Sequence, residues 1–308
     1  MQISDRVHSI EAETTYYTGP LAPNVWLIVD SGEAALIDSG FADEKALETR
    51  LGYLKKLKGV QLKEIILTHH HFDHSSAADT IRRKTGARIS VHTDEEQFIT
   101  SPREDQPEDI EIPEDQKELR EAAKKWQEEA RRARPDHLFS DGDTVEVGTA
   151  TIRAIHTPGH TEGSLCLMLE GENVLFTGDT ILGRGTVAIS PPPYGSMTKY
   201  LRSLEKLETS GAERIAPGHG PVIDNPAQKC RELITHRHER EAQILKLLAN
   251  GKTTVDQLLK SIYPEVDKRL HSFATSQILA HLHKFRDEGV LDFEGKGRET
   301  TIHLKGPY

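Results

Sequence analysis

Four short apolar runs in this chain stop at the same kind of residue. "EIILT" runs into His69, "TIRAIHTPG" into His160, "NVLFTG" into Asp179 and "ERIAPG" into His219. In the last three, a glycine (Gly159, Gly178, Gly218) stands immediately before the His or Asp. Runs of that length and composition predict buried strands. A glycine at a strand end lets the backbone turn sharply and deliver a side chain to the sheet edge. Strands lying side by side would bring all four loops to one site. Packing alone gives no reason for titratable side chains to recur at four strand ends.

The first loop, "THHHFDHSS", is the densest. His69 and His71, two apart in an extended stretch, present their rings to one ion. Asp73 and His74 follow the turn and face a second ion beside it. His160 completes the first group as three neutral nitrogens with an open position, the pattern of a catalytic zinc site. His219 completes the second, and Asp179 is placed to bridge. Nitrogen and carboxylate donors without thiolate suit two divalent ions, zinc first, with manganese or iron as alternatives. A lone histidine is more often a solvated or hydrogen-bonded side chain, but seven donors at converging strand ends reverse that. His70 and Phe72 point away from the ions, Ser75 and Ser76 open the next helix, and His156, inside its strand, is structural.

The remaining chain reads as α/β. "NVWLIVD-SGE-AALIDSG" is two strands around a Gly-containing turn, a helix follows over 43–58, and strand and helix then alternate. Residues 94–118 carry eleven acidic and two basic side chains. We expect 94–135 to be an insertion, first an exposed acidic loop and then a charged helix, serving as a solvated spacer or as a lid over a cleft. Three amphipathic helices beyond Arg231, then two short strands around a Gly-Lys-Gly-Arg tip, give the order of a winged-helix domain. This places the division at 1–228 and 229–308. The net charge of −10 disfavours non-specific attraction to nucleic acid. No apolar stretch approaches the ~20 residues that span a bilayer, no secretory signal is visible, and the two cysteines read as reduced thiols. Cytoplasmic location is the default expectation.

"THHHFDH", "TPGHT", "FTGDT" and "PGHGP" resemble the signature of the metallo-β-lactamase superfamily, over roughly residues 16–228. The resemblance implies a four-layer αββα sandwich with a binuclear metal site. It assigns His69, His71 and His160 to one ion, Asp73, His74 and His219 to the other, and Asp179 to both. Asp179 stands where true class B β-lactamases commonly carry Cys, which counts against antibiotic hydrolysis. His71 stands where the di-iron flavoprotein branch has Glu, which counts against redox chemistry. "GDTILGRGT", "PGHGPVIDNPAQK" and "ITHRHEREAQIL" are similar to the beta-lactamase-like protein 2 group. That group includes single-strand endoribonucleases, and related sequences release acyl chains from carrier proteins.

The chemistry expected is hydrolysis by a hydroxide bridging two ions, which lower the pKa of water from ~15.7 to about 7. Asp73 would orient that hydroxide and receive its proton. In "ITHRHERE", taken as the start of a helix, Arg237 or Arg240 would grip a substrate phosphate or carboxylate, and the leaving group would be protonated by metal-bound water, Asp73 or a nearby imidazole such as His236. Arg184 and Tyr194 are further substrate-binding candidates. Single-stranded RNA is the preferred substrate expectation, with Lys296 and Arg298 at the wing tip supporting the strand. The competing expectation is a small ester, thioester or lactone (an acyl-thioesterase, a glyoxalase II-like enzyme or a lactonase), which calls for a deeper, more apolar and less basic cleft. A binding protein with a vestigial site is the third reading, and the intact ligand set speaks against it. The winged-helix-like part would bind nucleic acid, cover the site or make a homodimer.

Overall fold

A computed structural model of the chain describes residues 2–16, 22–101, 116–265, 267 and 270–306. The acidic loop expected in the insertion falls largely on 102–115, outside the described residues. The first half of the chain contains β1 (Val7–Ser9), β2 (Trp26–Asp30), β3 (Glu33–Ile37), α1 (Glu44–Lys56), β4 (Gln61–Ile66) and the short α2 (Phe72–Ser75). It continues with α3 (Ala78–Thr85), β5 (Arg88–His92), α4 (Glu96–Thr100), α5 (Lys117–Ala130) and β6 (His137–Phe139). These strands form one sheet in sequence order, β1 to β6, parallel from β3 onward. A second sheet has the order β11-β10-β9-β8-β7, from β7 (Thr144–Val147), β8 (Ala150–His156), β9 (Leu165–Leu169), β10 (Val174–Gly178) and β11 (Arg214–Pro217). Between β10 and β11 lies α6 (Met197–Glu208), and after β11 comes the long α7 (Pro226–Ala249).

Side-chain alternation dictates how the sheets pack. Trp26, Ile28, Ala35 and Ile37 point into a core shared with Ile152, Leu167 and Phe176 of the other sheet. Their neighbours Leu27, Ala34 and Leu36 point the other way, onto Leu47 and Leu51 of α1 and Ile81 of α3. On the far side, Cys166, Met168 and Leu175 meet Tyr200 and Leu204 of α6 and Leu233 of α7. Both faces of each sheet are covered, so these strands read as apolar runs without polar alternation. The result is the expected helix–sheet–sheet–helix sandwich.

The helix of the insertion differs from its expectation. Leu119, Ala122, Ala123, Trp126 and Ala130 form a buried stripe on α5, and they pack on Phe41 and on Phe72 of α2. The Trp126 ring lies 4.5 Å from that of Phe41. Alanines carry much of the stripe, which is why it was inconspicuous among the charges. This helix is no solvated spacer; it backs the turn that bears Asp73 and His74.

The C-terminal part is built as its sequence suggests. After α8 (Val255–Ile262) and α9 (His271–Asp287) come the antiparallel strands β12 (Leu291–Glu294) and β13 (Thr301–Leu304). Ile244 and Leu248 of α7 join Leu258, Ile278, Phe285, Leu291 and Ile302 in a separate core. Thus α7 serves two cores, Cys230 and Leu233 in one and Ile244 and Leu248 in the other. Residue 228, the expected division, lies in its first turn. No helix among the described residues is long and apolar enough to cross a membrane.

Candidate metal centre

The loops after β4, β8, β10 and β11 converge. The backbone is extended at His71 (φ −55°, ψ 140°) and turns helical at Phe72. That bend leaves His69 and His71 on one side and carries Asp73 and His74 into the first turn of α2. His160 Nε2 lies 3.0 Å from His71 Nδ1, and the His69 ring is 4.6 and 5.0 Å from those of His71 and His160. In the neighbouring trio, His74 Nε2 is 3.2 Å from His219 Nε2 and 3.4 Å from Asp73 Oδ2. Asp179 spans both groups. Its Oδ1 is 3.3 Å from His74 Nε2 and 3.4 Å from His219 Nε2, and its Oδ2 is 3.8 Å from His160 Nε2.

These spacings fit metal ions. Donors ~2.1 Å from a tetrahedral ion sit roughly 3.4 Å from one another. Two of the donor atoms, His69 Nε2 and Asp179 Oδ1, are buried with no hydrogen-bond partner, which is unfavourable unless something else satisfies them. Burial holds His69 well below its usual range, and it brings His71 down to about 3 and His160 to about 4, so the first trio is neutral at pH 7. In the second trio burial also disfavours charge, but Asp73, Asp179 and Asp38 outweigh it and raise His74. Asp179 and Asp73 likewise raise His219. Burial pushes the Asp73 and Asp179 carboxyls up, and the adjacent imidazoles more than offset this, leaving both lowered. The second trio therefore attracts positive charge.

Two of the glycines work by closeness, and only the first of them also by turning. Gly178 has φ +46°, and a Cβ there would lie 2.3 Å from Thr68 Oγ1. A Cβ on Gly218 would lie 2.7 Å from Asp179 Oδ1; its role is space, not a turn.

Sequence reasoning missed the residues that hold the ligands. The Asp38 carboxylate accepts from Thr68 N and Oγ1 and contacts His74 Nδ1 at 2.8 Å. Thr68 Oγ1 in turn meets His69 Nδ1 at 3.0 Å. Such contacts fix the tautomer and leave Nε2 for the metal. Glu95 is fully buried and accepts from His70 N (2.7 Å), Thr161 Oγ1 (2.6 Å) and Gly163 N (2.9 Å), joining the first ligand loop to the loop of His160. His70 does point away from the ligands, with Nδ1 at 2.5 Å from Glu95 Oε2 and its ring stacked on Phe98. Asp38, at the end of an apolar run and two residues before Gly40, follows the same strand-end pattern as the ligands. Glu95 carries no such signal, lying inside an acidic segment.

The expected substrate clamp is not assembled as anticipated. "ITHRHERE" sits in the middle of α7, not at a helix start. Arg237 is buried (4% exposed), with Nη2 donating to Val187 O at 2.7 Å, so it cannot meet a substrate anion. Arg240 lies over the Tyr263 ring, and neither it nor His236 or Tyr194 is among the residues lining the cleft at the metal centre. Arg184 does line that cleft and is exposed. The cleft measures about 670 Å³, with His71, Asp73, His160, Asp179 and His219 at its floor and Trp26, Leu182, Val187, Pro221, Val222 and Phe273 on its walls. A further group, His92, Asp94 and His156, has a metal-like composition. Its rings stack in parallel, 3.8 Å apart at 13°, so their in-plane lone pairs run side by side and do not converge.

Comparison with known proteins bears on this geometry. Residues 18–219 match the metallo-beta-lactamase superfamily, and residues 254–298 match the beta-lactamase associated winged helix domain. The beta-lactamase-like protein 2 homolog of Drosophila melanogaster is 30% identical over 272 residues, covering 87% of this chain and 83% of that protein. The atrochrysone carboxyl ACP thioesterase of Aspergillus fumigatus is 27% identical over 258 residues, covering 78% of this chain and 68% of its own. The crystal structure of a metallo-beta-lactamase family protein from Thermus thermophilus superposes with a TM-score of 0.74 at 26% identity, covering 97% of this chain and 98% of that one. The chain belongs to the metallo-beta-lactamase superfamily of hydrolases and carries its associated winged-helix domain at the C-terminal end.

Proposed function

We propose that this protein is a binuclear metal-dependent hydrolase of acyl thioesters or esters, with zinc as the resident metal. The observation that carries the substrate reading is the cleft. Its lining is predominantly apolar outside the His/Asp cluster, with Ser9, Glu11, Asn24 and Thr186 as further polar residues, and Arg184 is the one Lys or Arg among the described residues that line it. An RNA strand brings a phosphate charge with every nucleotide, and proteins that hold such strands line the path with cations and stacking rings. At the wing tip, Arg298 is paired with Asp256, and neither it nor Lys296 is among the described residues that line the cleft. The similarity to a carrier-protein thioesterase supports the same choice.

Divalent cations in this centre supply Lewis acidity, polarising a carbonyl and making water acidic near neutral pH. His69, His71 and His160 would hold one ion, Asp73, His74 and His219 the other, and Asp179 both. Asp73 presents one carboxylate oxygen to His219 at 3.2 Å and lines the cleft floor, where the carboxylate can orient a water and take its proton. Trp26, Val187 and Phe273 would receive the acyl chain and exclude bulk water. The leaving group decides against the need for a strong acid. A thiol has a pKa of ~8.5 and departs readily as thiolate, whereas an alkoxide must be protonated as it leaves. His236, one of the candidate acids, is not among the cleft-lining residues.

The test is a side-by-side assay of zinc- or manganese-loaded protein on an acyl thioester, a lactone and single-stranded RNA, with Asp73→Ala as the blank. Thioester or ester turnover that vanishes in Asp73→Ala is the expected result. Asp73-dependent RNA cleavage without turnover of either acyl substrate would replace this reading with the endoribonuclease one.

A further inference from the structure

The segment from 184 to 189 forms one wall of the cleft, and the protein grips it from behind. Ala188 O accepts a hydrogen bond from His160 Nδ1 at 2.7 Å. The carbonyls on either side of it bond in another direction. Val187 O accepts from Arg237 Nη2 at 2.7 Å, and Ile189 O accepts from Gln277 Nε2 at 3.0 Å. Arg237 Nη1 also donates to Gln277 Oε1 at 3.2 Å, closing the pair. Both side chains are buried, at 4% and 7% exposure, and the guanidinium lies over the Tyr200 ring, 5.3 Å from its centroid. Arg237 belongs to α7 and Gln277 to α9. Helix α9 also supplies Ala274, Ile278 and Phe285 to the C-terminal core.

We infer that Arg237 and Gln277 are positioning residues of the metal centre. They fix the carbonyls of Val187 and Ile189 and so leave the Ala188 carbonyl one orientation, toward His160. That contact keeps the imidazole proton on Nδ1 and turns Nε2 toward His71, 3.0 Å away. The C-terminal helices thereby complete the first metal site without touching a ligand. The physical case is one of satisfaction. Loss of either donor leaves a buried carbonyl unpaired, which is unfavourable, and the segment recovers that by rotating, which carries the Ala188 oxygen away from His160. Contacts that orient a metal-binding histidine typically govern metal affinity by 10–100-fold.

The inference rests on the metal reading of the His/Asp cluster but not on the substrate proposed for it. Full-length, zinc-loaded protein is dialysed against graded concentrations of a competing chelator, and the zinc retained per chain is measured. Gln277→Glu keeps the volume and the acceptor for Arg237 but sets a carboxylate oxygen against Ile189 O; Arg237→Met removes both donors at similar bulk. Leu258→Ala weakens the C-terminal core, away from the segment, and serves as the control. The expected result is loss of one of two zinc equivalents at about tenfold lower chelator in Gln277→Glu and Arg237→Met, with Leu258→Ala like the parent. If Arg237→Met does not fold, Gln277→Glu decides alone. Parent-like retention in Gln277→Glu overturns the inference, and so does an equal loss in Leu258→Ala, which would mark general destabilisation. A parent protein that itself binds no zinc would instead refute the metal reading.

Discussion

Replacing Glu95 by glutamine changes one oxygen for one NH₂ at nearly constant volume, yet the structure makes it a severe substitution. The carboxylate accepts two donors on each oxygen: Thr161 Oγ1 and Gly163 N on Oε1, His70 N and Nδ1 on Oε2. An amide offers one acceptor oxygen, so either orientation sets its NH₂ against a backbone N–H, of Gly163 or of His70. An unsatisfied buried donor of this kind costs roughly 1–3 kcal/mol. The acid–base properties of the group give an independent figure. Burial alone would raise the Glu95 carboxyl, but His70, Thr161 and Gly163 together hold it at about 2, against 4.5 for a free side chain. At ~1.4 kcal/mol per unit, this corresponds to about 3 kcal/mol of stability. Because the folded pKa is depressed, that contribution is complete above about pH 4.5 and is lost as pH falls through 2. Urea unfolding of parent and Glu95→Gln should therefore differ by about 3 kcal/mol at pH 7, with a gap that narrows only in acid. A gap below about 0.5 kcal/mol at pH 7, the level of an ordinary surface substitution, would refute the argument.

Other consequences follow from the same contacts. Truncating Trp126 to alanine should destabilise the protein by about 3–5 kcal/mol in urea unfolding and lower zinc retention, because the ring backs Phe72 and Phe41 beneath the ligand turn. Zinc binding should weaken as pH falls below neutrality, since Asp73 and Asp179 raise His74 and His219 and the entering ion must displace their protons; calorimetry in buffers of different ionisation enthalpy should show proton release. Phe273 is 46% exposed at the cleft rim. Phe273→Asp should raise KM for long-chain acyl thioesters about tenfold, equivalent to ~1.4 kcal/mol of lost apolar contact, and leave short-chain substrates unaffected in a steady-state assay.

Some of the centre was legible in the chain because its determinants are local. A strand that ends in a glycine or a sharp bend sets down a histidine or aspartate within a residue or two, so "THHHFDH", "TPGHT", "FTGD" and "PGHG" carry their geometry with them. Apolar runs covered on both faces announce a two-sheet sandwich, and three helices followed by a hairpin announce a winged helix. Other features depend on contacts between distant segments. Glu95 acts on Thr161 and Gly163, which are 66 and 68 positions away, and nothing near it in the acidic segment marks it. The buried face of α5 emerges only against Phe41 and Phe72, since its alanines are neutral in any pattern.

Arg237 shows the division most clearly. On its own helix it has the look of an exposed cation awaiting an anion, and burial against Val187, Gln277 and Tyr200 converts it into a brace. The sequence by itself determined the fold class and which His and Asp side chains stand at the converging strand ends, because strand ends and residue types are short-range properties. Only the tertiary structure decided what orients the ligands and how polar the cleft is. Both are set by which side chains from distant segments come to share one surface, and no local pattern encodes that meeting.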